Sequence, residues 1–204
     1  MKQLILASQS PRRKILLEQL GYKFSTLVAN IDESVCAHES ASDYVLRLAE
    51  EKALAIFNSL SFEQQKKSLV LGADTCVVID GFILGKPANE VECIETLLRL
   101  SSNQHQVLTA IAVVGYEADD KLKVSKEVIE TQVYFKSLTA DEITRYWQTD
   151  EPKDKAGSYA IQGIGGQFVT KIDGSYSAVV GLPLYETAQL LVKAGLPTTI
   201  QSNG

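Results

Sequence analysis

Residues 3–21, QLILASQSPRRKILLEQLG, decide the fold class. Gln3 to Ala7 is an apolar run of buried-strand length, and Pro11 to Leu20 reads as a helix, so the chain opens as strand, loop and helix. Ser10 suits the N-cap and Pro11 the first helical position, where its missing N–H costs nothing. Leu16, Leu17 and Leu20 form an apolar face and Gly21 a stop. Arg12 and Arg13 break the pattern, because the dipole disfavours a cation in the first turn by about 0.3–1 kcal/mol. They are either solvated surface side chains or, with the N–H groups of the helix start, a cradle for an anion such as a phosphate chain. The loop does not match the GxxxxGK[ST] phosphate-binding pattern.

Outward from this opening the strand and helix periods keep recurring. Tyr22 to Ala29 alternates as a strand, and a helix runs from about Ser42 to Leu60 with Tyr44, Val45, Leu48, Ala49, Lys52 and Ile56 on one stripe. SLVLGADTCVVIDG (68–81) is a nearly continuous apolar strand closing in an Asp80-Gly81 turn, and FILGKP (82–87) returns as its hairpin partner. Glu90 to Leu100 is an amphipathic helix. Two long strand-like runs follow, HQVLTAIAVVGYE (105–117) and KVSKEVIETQVYFKSL (123–138), joined by the acidic loop 118–121. Thr139 with Glu142 forms a capping box that starts another helix. The Gly-rich stretch 151–166 has neither period, QFVTKIDGSYSAVVG (167–181) reads as strand, turn and strand, and Pro183 opens a last helix from Leu184 to Lys193. The expected fold class is α/β, an elongated mixed sheet flanked by helices, with two lobes around a central cleft.

Bulk composition narrows the function. At 204 residues, 45% of them hydrophobic and 22% charged, the chain can bury a full core. Its formal net charge of −5 argues against a nucleic-acid or anionic-membrane binder, so any anionic ligand needs a local cationic site. The apolar LILA is too short for a signal-peptide core, and no run approaches the ~18 apolar residues of a membrane span, so a cytoplasmic location is expected. Cys36, Cys76 and Cys93 form no CxxC pair and read as reduced thiols, with Cys76 a packing residue. His38 and His105 offer no Ser-His-Asp or Cys-His arrangement, and His105, opening a strand, reads as structural.

Four positions carry charge where their element would prefer none. Lys52 interrupts an apolar stripe, either snorkelling to water or held inward by an anion. Lys86, beside a proline, reads alone as a surface lysine. Asp74 lies among Val70, Leu71, Ala73, Val77, Val78 and Ile79, so its carboxylate must be paired, metal-bound or at the lip of a cleft, while Gly72 allows a close approach of ligand or backbone. Glu33 is either half of a surface acidic pair with Asp32 or a metal ligand. Arg12, Arg13, Lys52 and Lys86 with Asp74 and Glu33 make a kit for a phosphoanhydride: cations for phosphates, carboxylates for a divalent metal and a water. A carboxylate placed to repel the same anion favours catalysis over simple binding.

The stretches SQSPRR (8–13), LAEEKA (48–53), LGADT (71–75), GKP (85–87), DKAGSYAIQGIGG (154–166) and SYSAVVGLPL (175–184) occur in the order that marks a known family. On these six stretches the sequence resembles the Maf family of nucleoside triphosphate pyrophosphatases from end to end. DKAGSYAIQG is similar to the branch that hydrolyses dTTP and UTP, not the branch acting on 7-methyl-GTP. The resemblance implies a single domain, 1–204, of the inosine triphosphatase-like fold type, a homodimer, and cleavage of the α–β phosphoanhydride with Mg²⁺ or Mn²⁺. It implies Asp74 as proton acceptor, with Glu33, Lys52 and Lys86 as its catalytic companions. Ser8, Arg12, Arg13, Thr75 and Gln162 are implied as substrate-binding, and Asp74 and Glu33 as metal-binding. Whether Asp74 serves as base or as metal ligand stays open. A uracil or thymine edge presents two carbonyls and one N–H, which the Gln162 amide can meet as donor and acceptor. Two other functions remain open: a nucleotide-binding regulator of cell division with weak hydrolysis, and a pyrophosphatase for modified nucleotides. Ser102 and Ala110 depart from the family, which commonly shows glycine there, and a Cβ at Ala110 is expected to disfavour positive φ.

Overall fold

A computed structural model describes residues 2–117, 119–198 and 200. The opening is as the sequence suggests: β1 (Gln3–Ala7), α1 (Pro11–Gln19) and β2 (Phe24–Leu27). α2 (Ala41–Ser59) and a short α3 (Phe62–Lys67) lead into β3 (Ser68–Ile79), which turns through Asp80 and Gly81 into β4 (Phe82–Leu84). Then come α4 (Glu90–Leu100), β5 (Gln104–Tyr116), β6 (Leu122–Phe135), α5 (Ala140–Trp147), β7 (Val169–Asp173), α6 (Tyr176–Val180) and α7 (Leu184–Lys193). The strands form a mixed seven-stranded sheet in the order β2-β1-β3-β5-β6-β7, with β4 on β3. β1 pairs in parallel with β2 and β3, from Leu4 opposite Phe24 and Gln3 opposite Ser68. β4 and β7 pair antiparallel to β3 and β6. The expected mixed sheet with flanking helices is thus present.

Three local readings need correction. Ser10 occupies the N-cap of α1 with extended φ/ψ, but its side chain makes no capping bond. Its N–H instead donates to Ser8 Oγ at 3.1 Å. SYSAVVG is not a strand but α6, because Gly174 turns the chain at φ +130° and the Ala178 N–H donates to Ser175 Oγ at 3.2 Å, a capping contact. Of the two departures from glycine, Ser102 is the one at positive φ, +54°, whereas Ala110 lies buried within β5 at a negative φ. In the acidic loop, position 118 lies outside the described residues, and 119–121 carry a local Asp119–Lys121 ion pair at 2.8 Å.

The chain divides into two compact units. The first comprises residues 1–74, 109–129 and 181–204, and the second 75–108 and 130–180. In the first, β1 is buried from Leu4 to Ala7, and α2 buries Val45, Leu48, Ala49, Ala53, Ile56 and Phe57. Gly72 of β3 has no room for a side chain: a Cβ there would lie 2.2 Å from the Ala49 carbonyl oxygen and 2.9 Å from Ala53 N. The glycine therefore lets α2 sit against β3 backbone to backbone.

In the second unit the core runs through Val77, Ile79, Cys93, Leu97, Leu100, Val107, Val133 and Phe135 and on to Ile143, Tyr146, Tyr159 and Phe168. Cys76 and Cys93 are both buried, as packing residues. His105 is structural too: it packs edge-on against Phe135, and its Nε2 is 2.8 Å from the Tyr159 hydroxyl. Burial pulls its pKa down to about 4 from 6.5. As pH falls, the unfolded chain takes up this proton first. The stability it confers is complete above about pH 6.5 and is lost between there and about pH 4, by on the order of 3 kcal/mol. Urea unfolding of wild type and His105→Gln across this window is expected to show a shallower acid loss in the variant.

Candidate active site

Close packing of α2 on β3 at Gly72 sets the register of the two residues that carry charge into this interior. Lys52 lies between Ala49 and Ala53 on α2, and Asp74 follows Gly72 by two residues on β3. Lys52 Nζ is 2.7 Å from Asp74 Oδ1 and 2.6 Å from Glu33 Oε1. The Lys52 and Asp74 side chains are each only 11% exposed, against 55% for Glu33. Lys52 therefore does not snorkel to bulk water. Its ammonium turns inward and bridges two carboxylates, one interior and one at the rim, which answers how Asp74 can be buried charged.

Glu33 comes from the loop between β2 and α2, held by residues that sequence reasoning left out of the site. Tyr44 donates its hydroxyl to the Glu33 carbonyl at 3.0 Å, and Arg47 Nη2 donates to the Ser34 carbonyl at 3.0 Å. Arg47 Nε is also 2.6 Å from Glu39 Oε1, and this charged hydrogen bond holds the Glu39 carboxyl down at about 2. Tyr44 and Arg47 stand three apart on α2 and so share a face, the signal that could have paired them with this loop.

The arginine pair is equally local. Arg13 Nε donates to the Gly181 carbonyl at 2.8 Å, and its Nη1 lies 3.5 Å from Ser8 Oγ. Burial lowers the Arg13 pKa most strongly; Asp74 and Glu33 pull it back up, while the neighbouring Arg12 charge pushes it down. Arg13 thus feels both carboxylates, which offset part of the dipole penalty of its place in the first turn of α1. α1 carries no acidic residue in that turn and no side-chain cap, leaving its N-terminal N–H groups suited to an anion.

The first unit therefore gathers Ser8, Arg12, Arg13, Glu33, Lys52 and Asp74: three cations, two carboxylates and a hydroxyl. Thr75, Lys86 and Gln162 belong to the second unit. Thr75 is the half-buried residue after Asp74 on β3, Lys86 is exposed just beyond β4, and Gln162 is exposed in the Gly-rich loop before β7. Among the described residues no cluster of three or more His, Cys, Asp or Glu gathers. Asp74 and Glu33 are hard oxygen donors, of the kind and number with which magnesium is commonly held when phosphate oxygens and waters complete its shell, and here both meet the Lys52 ammonium. That donor set fits the implied Mg²⁺ or Mn²⁺, with Asp74 and Glu33 as the residues that would hold it.

Comparison with known proteins places these residues in a family. A family model described as Maf-like protein matches residues 3–194. A protein of Colwellia psychrerythraea named dTTP/UTP pyrophosphatase is 59% identical over 201 residues, 98% of this chain and 92% of that one. Another of the same name from Vibrio vulnificus is 52% identical over 191 residues, 94% and 98% of the two chains. Among solved structures, the Staphylococcus aureus Ham1 protein has a TM-score of 0.39 at 16% identity, covering 65% of this chain and 72% of that one, too loose a likeness to bear on fold or function. The match over nearly the whole length, together with relatives at 59% and 52% identity, shows that the chain belongs to the Maf family.

Proposed function

We propose that the protein is a dTTP/UTP pyrophosphatase, hydrolysing the α–β phosphoanhydride to a nucleoside monophosphate and pyrophosphate. The observation that carries the reading is the bridge of Lys52 between Asp74 and Glu33, with Arg13 sensing both acids. The names of the close relatives support it. A single family model running through segments of both units supports treating 1–204 as one functional domain.

In this reading Arg12, Arg13 and the N-terminal N–H groups of α1 hold the phosphate chain, and Ser8 helps to orient Arg13. Asp74 takes a proton from water as the water oxygen bonds to the α-phosphorus. The bond from that phosphorus to the bridging oxygen breaks, and pyrophosphate leaves with the electron pair. Lys52 fixes the direction of the Asp74 carboxylate, and Lys86 adds positive charge for the leaving group. A bound divalent cation would screen the phosphate charge and polarise the α-phosphoryl oxygen. A homodimer in the cytoplasm belongs to the same proposal; among the described residues no helix is long and apolar enough to cross a membrane.

Gln162 reads the pyrimidine edge, and Thr75 and Arg12 complete the substrate choice. Leaving a buried polar edge unpaired costs roughly 1–3 kcal/mol, which is about 5- to 150-fold in selectivity. Gln162→Ala is therefore expected to lower the ratio of kcat/KM for dTTP to that for GTP by at least 5-fold, measured by pyrophosphate release. An unchanged ratio would remove Gln162 from base selection.

A further inference from the structure

Two of the glycines that follow Gln162, Gly163 and Gly165, are explained by two side chains that no part of the chemistry above uses. Glu151 accepts from the Ile164 N–H and the Gly165 N–H, both at 2.8 Å, and from the Tyr146 hydroxyl at 2.7 Å. Tyr146 in turn accepts from the Ala160 N–H at 3.2 Å. The two residues thus pin the chain on both sides of Ile161-Gln162-Gly163, and a turn from Gly163 N to the Ala160 carbonyl, 3.1 Å, closes the segment between the pins.

Gly163 and Gly165 follow from these pins. Gly163 has φ −117°, which any residue can adopt, yet a Cβ there would lie 2.1 Å from Glu151 Oε2. A Cβ on Gly165 would lie 2.6 Å from the Tyr146 hydroxyl oxygen. Position 163 is therefore glycine because the carboxylate needs the space and not because the backbone is strained. Burial raises the Glu151 pKa, but the Gly165 N–H, the Tyr146 hydroxyl, the Ile164 N–H and Lys155 more than offset it, so the carboxyl stays ionised below its usual range. Tyr146 sits edge-on against Phe168 in the second unit's core, 4.9 Å between rings, so the pin is anchored in packed structure.

We propose that Glu151, backed by Tyr146, is a positioning residue for nucleobase selection: it fixes the loop that presents the Gln162 amide, and so sets how sharply the site separates uracil and thymine nucleotides from purine nucleotides. This rests on Gln162 reading the base. A glutamine in place of Glu151 would put an NH₂ where a backbone N–H must donate, so the pin fails while the volume is kept. The loop then samples several conformations, and the amide is no longer held ready for one base edge.

The test is a double-mutant cycle on the dTTP-to-GTP ratio of kcat/KM, with Tm recorded for each variant. Glu151→Gln is expected to lower the ratio at least 5-fold, chiefly by raising KM for dTTP, and to change it less than 2-fold further in a Gln162→Ala background. Tyr146→Phe, which keeps the ring and removes the hydroxyl, is expected to act in the same direction by a smaller factor, and it decides the matter if Glu151→Gln does not fold. Equal losses on dTTP and GTP from both variants, or full additivity with Gln162→Ala, overturn the positioning role and leave base reading by Gln162 standing. A ratio that Gln162→Ala itself leaves unmoved overturns both.

Discussion

Asp74→Asn is expected to lower kcat on dTTP and UTP by about 10²–10⁴-fold, the range over which a positioned general base contributes, with Tm within a few degrees of wild type. Asparagine keeps the shape and an oxygen for Lys52 but cannot take a proton from water, and Lys52 keeps its 2.6 Å contact with Glu33. Kinetics and thermal melting on the same preparation check this. Were Asp74 only a structural partner of Lys52, stability and activity would fall together, and a well-folded variant with near-normal turnover would exclude it from the chemistry.

Lys52→Met carries the largest expected loss of stability, on the order of 3–5 kcal/mol, because it leaves the buried Asp74 carboxylate without its 2.7 Å cation. A snorkelling surface lysine would cost less than about 1 kcal/mol. The added Asp74→Asn change removes the stranded charge, so the double variant is expected to recover most of the loss; urea unfolding of the two singles and the double measures it. Additive losses would mean that the two side chains do not depend on one another.

These two residues were legible in the sequence because each violates its own element's pattern. A lysine in an apolar helix stripe and an aspartate in an apolar strand both demand a partner, and Gly72 marked the close approach that lets them meet. The reading went no further where the cause lay through space. Tyr146 is 16 positions before Gln162, on another element, and although Glu151 opens the Gly-rich stretch that carries Gln162, nothing in that stretch says which N–H groups its carboxylate meets. Tyr44 and Arg47 looked like ordinary members of a helix.

Fold errors have similarly local causes. α3 has no buried residue and no apolar stripe, so hydrophobic periodicity is blind to it, although its Ser61–Gln64 capping box was there to be read. In YSAVV the β-branched and aromatic residues suggested a strand. The Gly174 turn and the Ser175 cap outweigh that propensity over so short a segment. Where the pattern is long, as in β3, α4 and α7, observed and expected spans agree to within a residue or two.

The most direct test of the central claim is to follow the products when the purified protein meets a panel of nucleoside triphosphates with Mg²⁺ or Mn²⁺. The proposed chemistry predicts pyrophosphate and monophosphate in equal amounts, fastest from dTTP and UTP, and slowed by about 10²–10⁴-fold in Asp74→Asn. Triphosphate bound but left intact would make the protein a nucleotide-binding regulator, and faster turnover of a modified nucleotide would redirect the base reading. Release of orthophosphate and diphosphate would contradict attack at the α-phosphorus altogether.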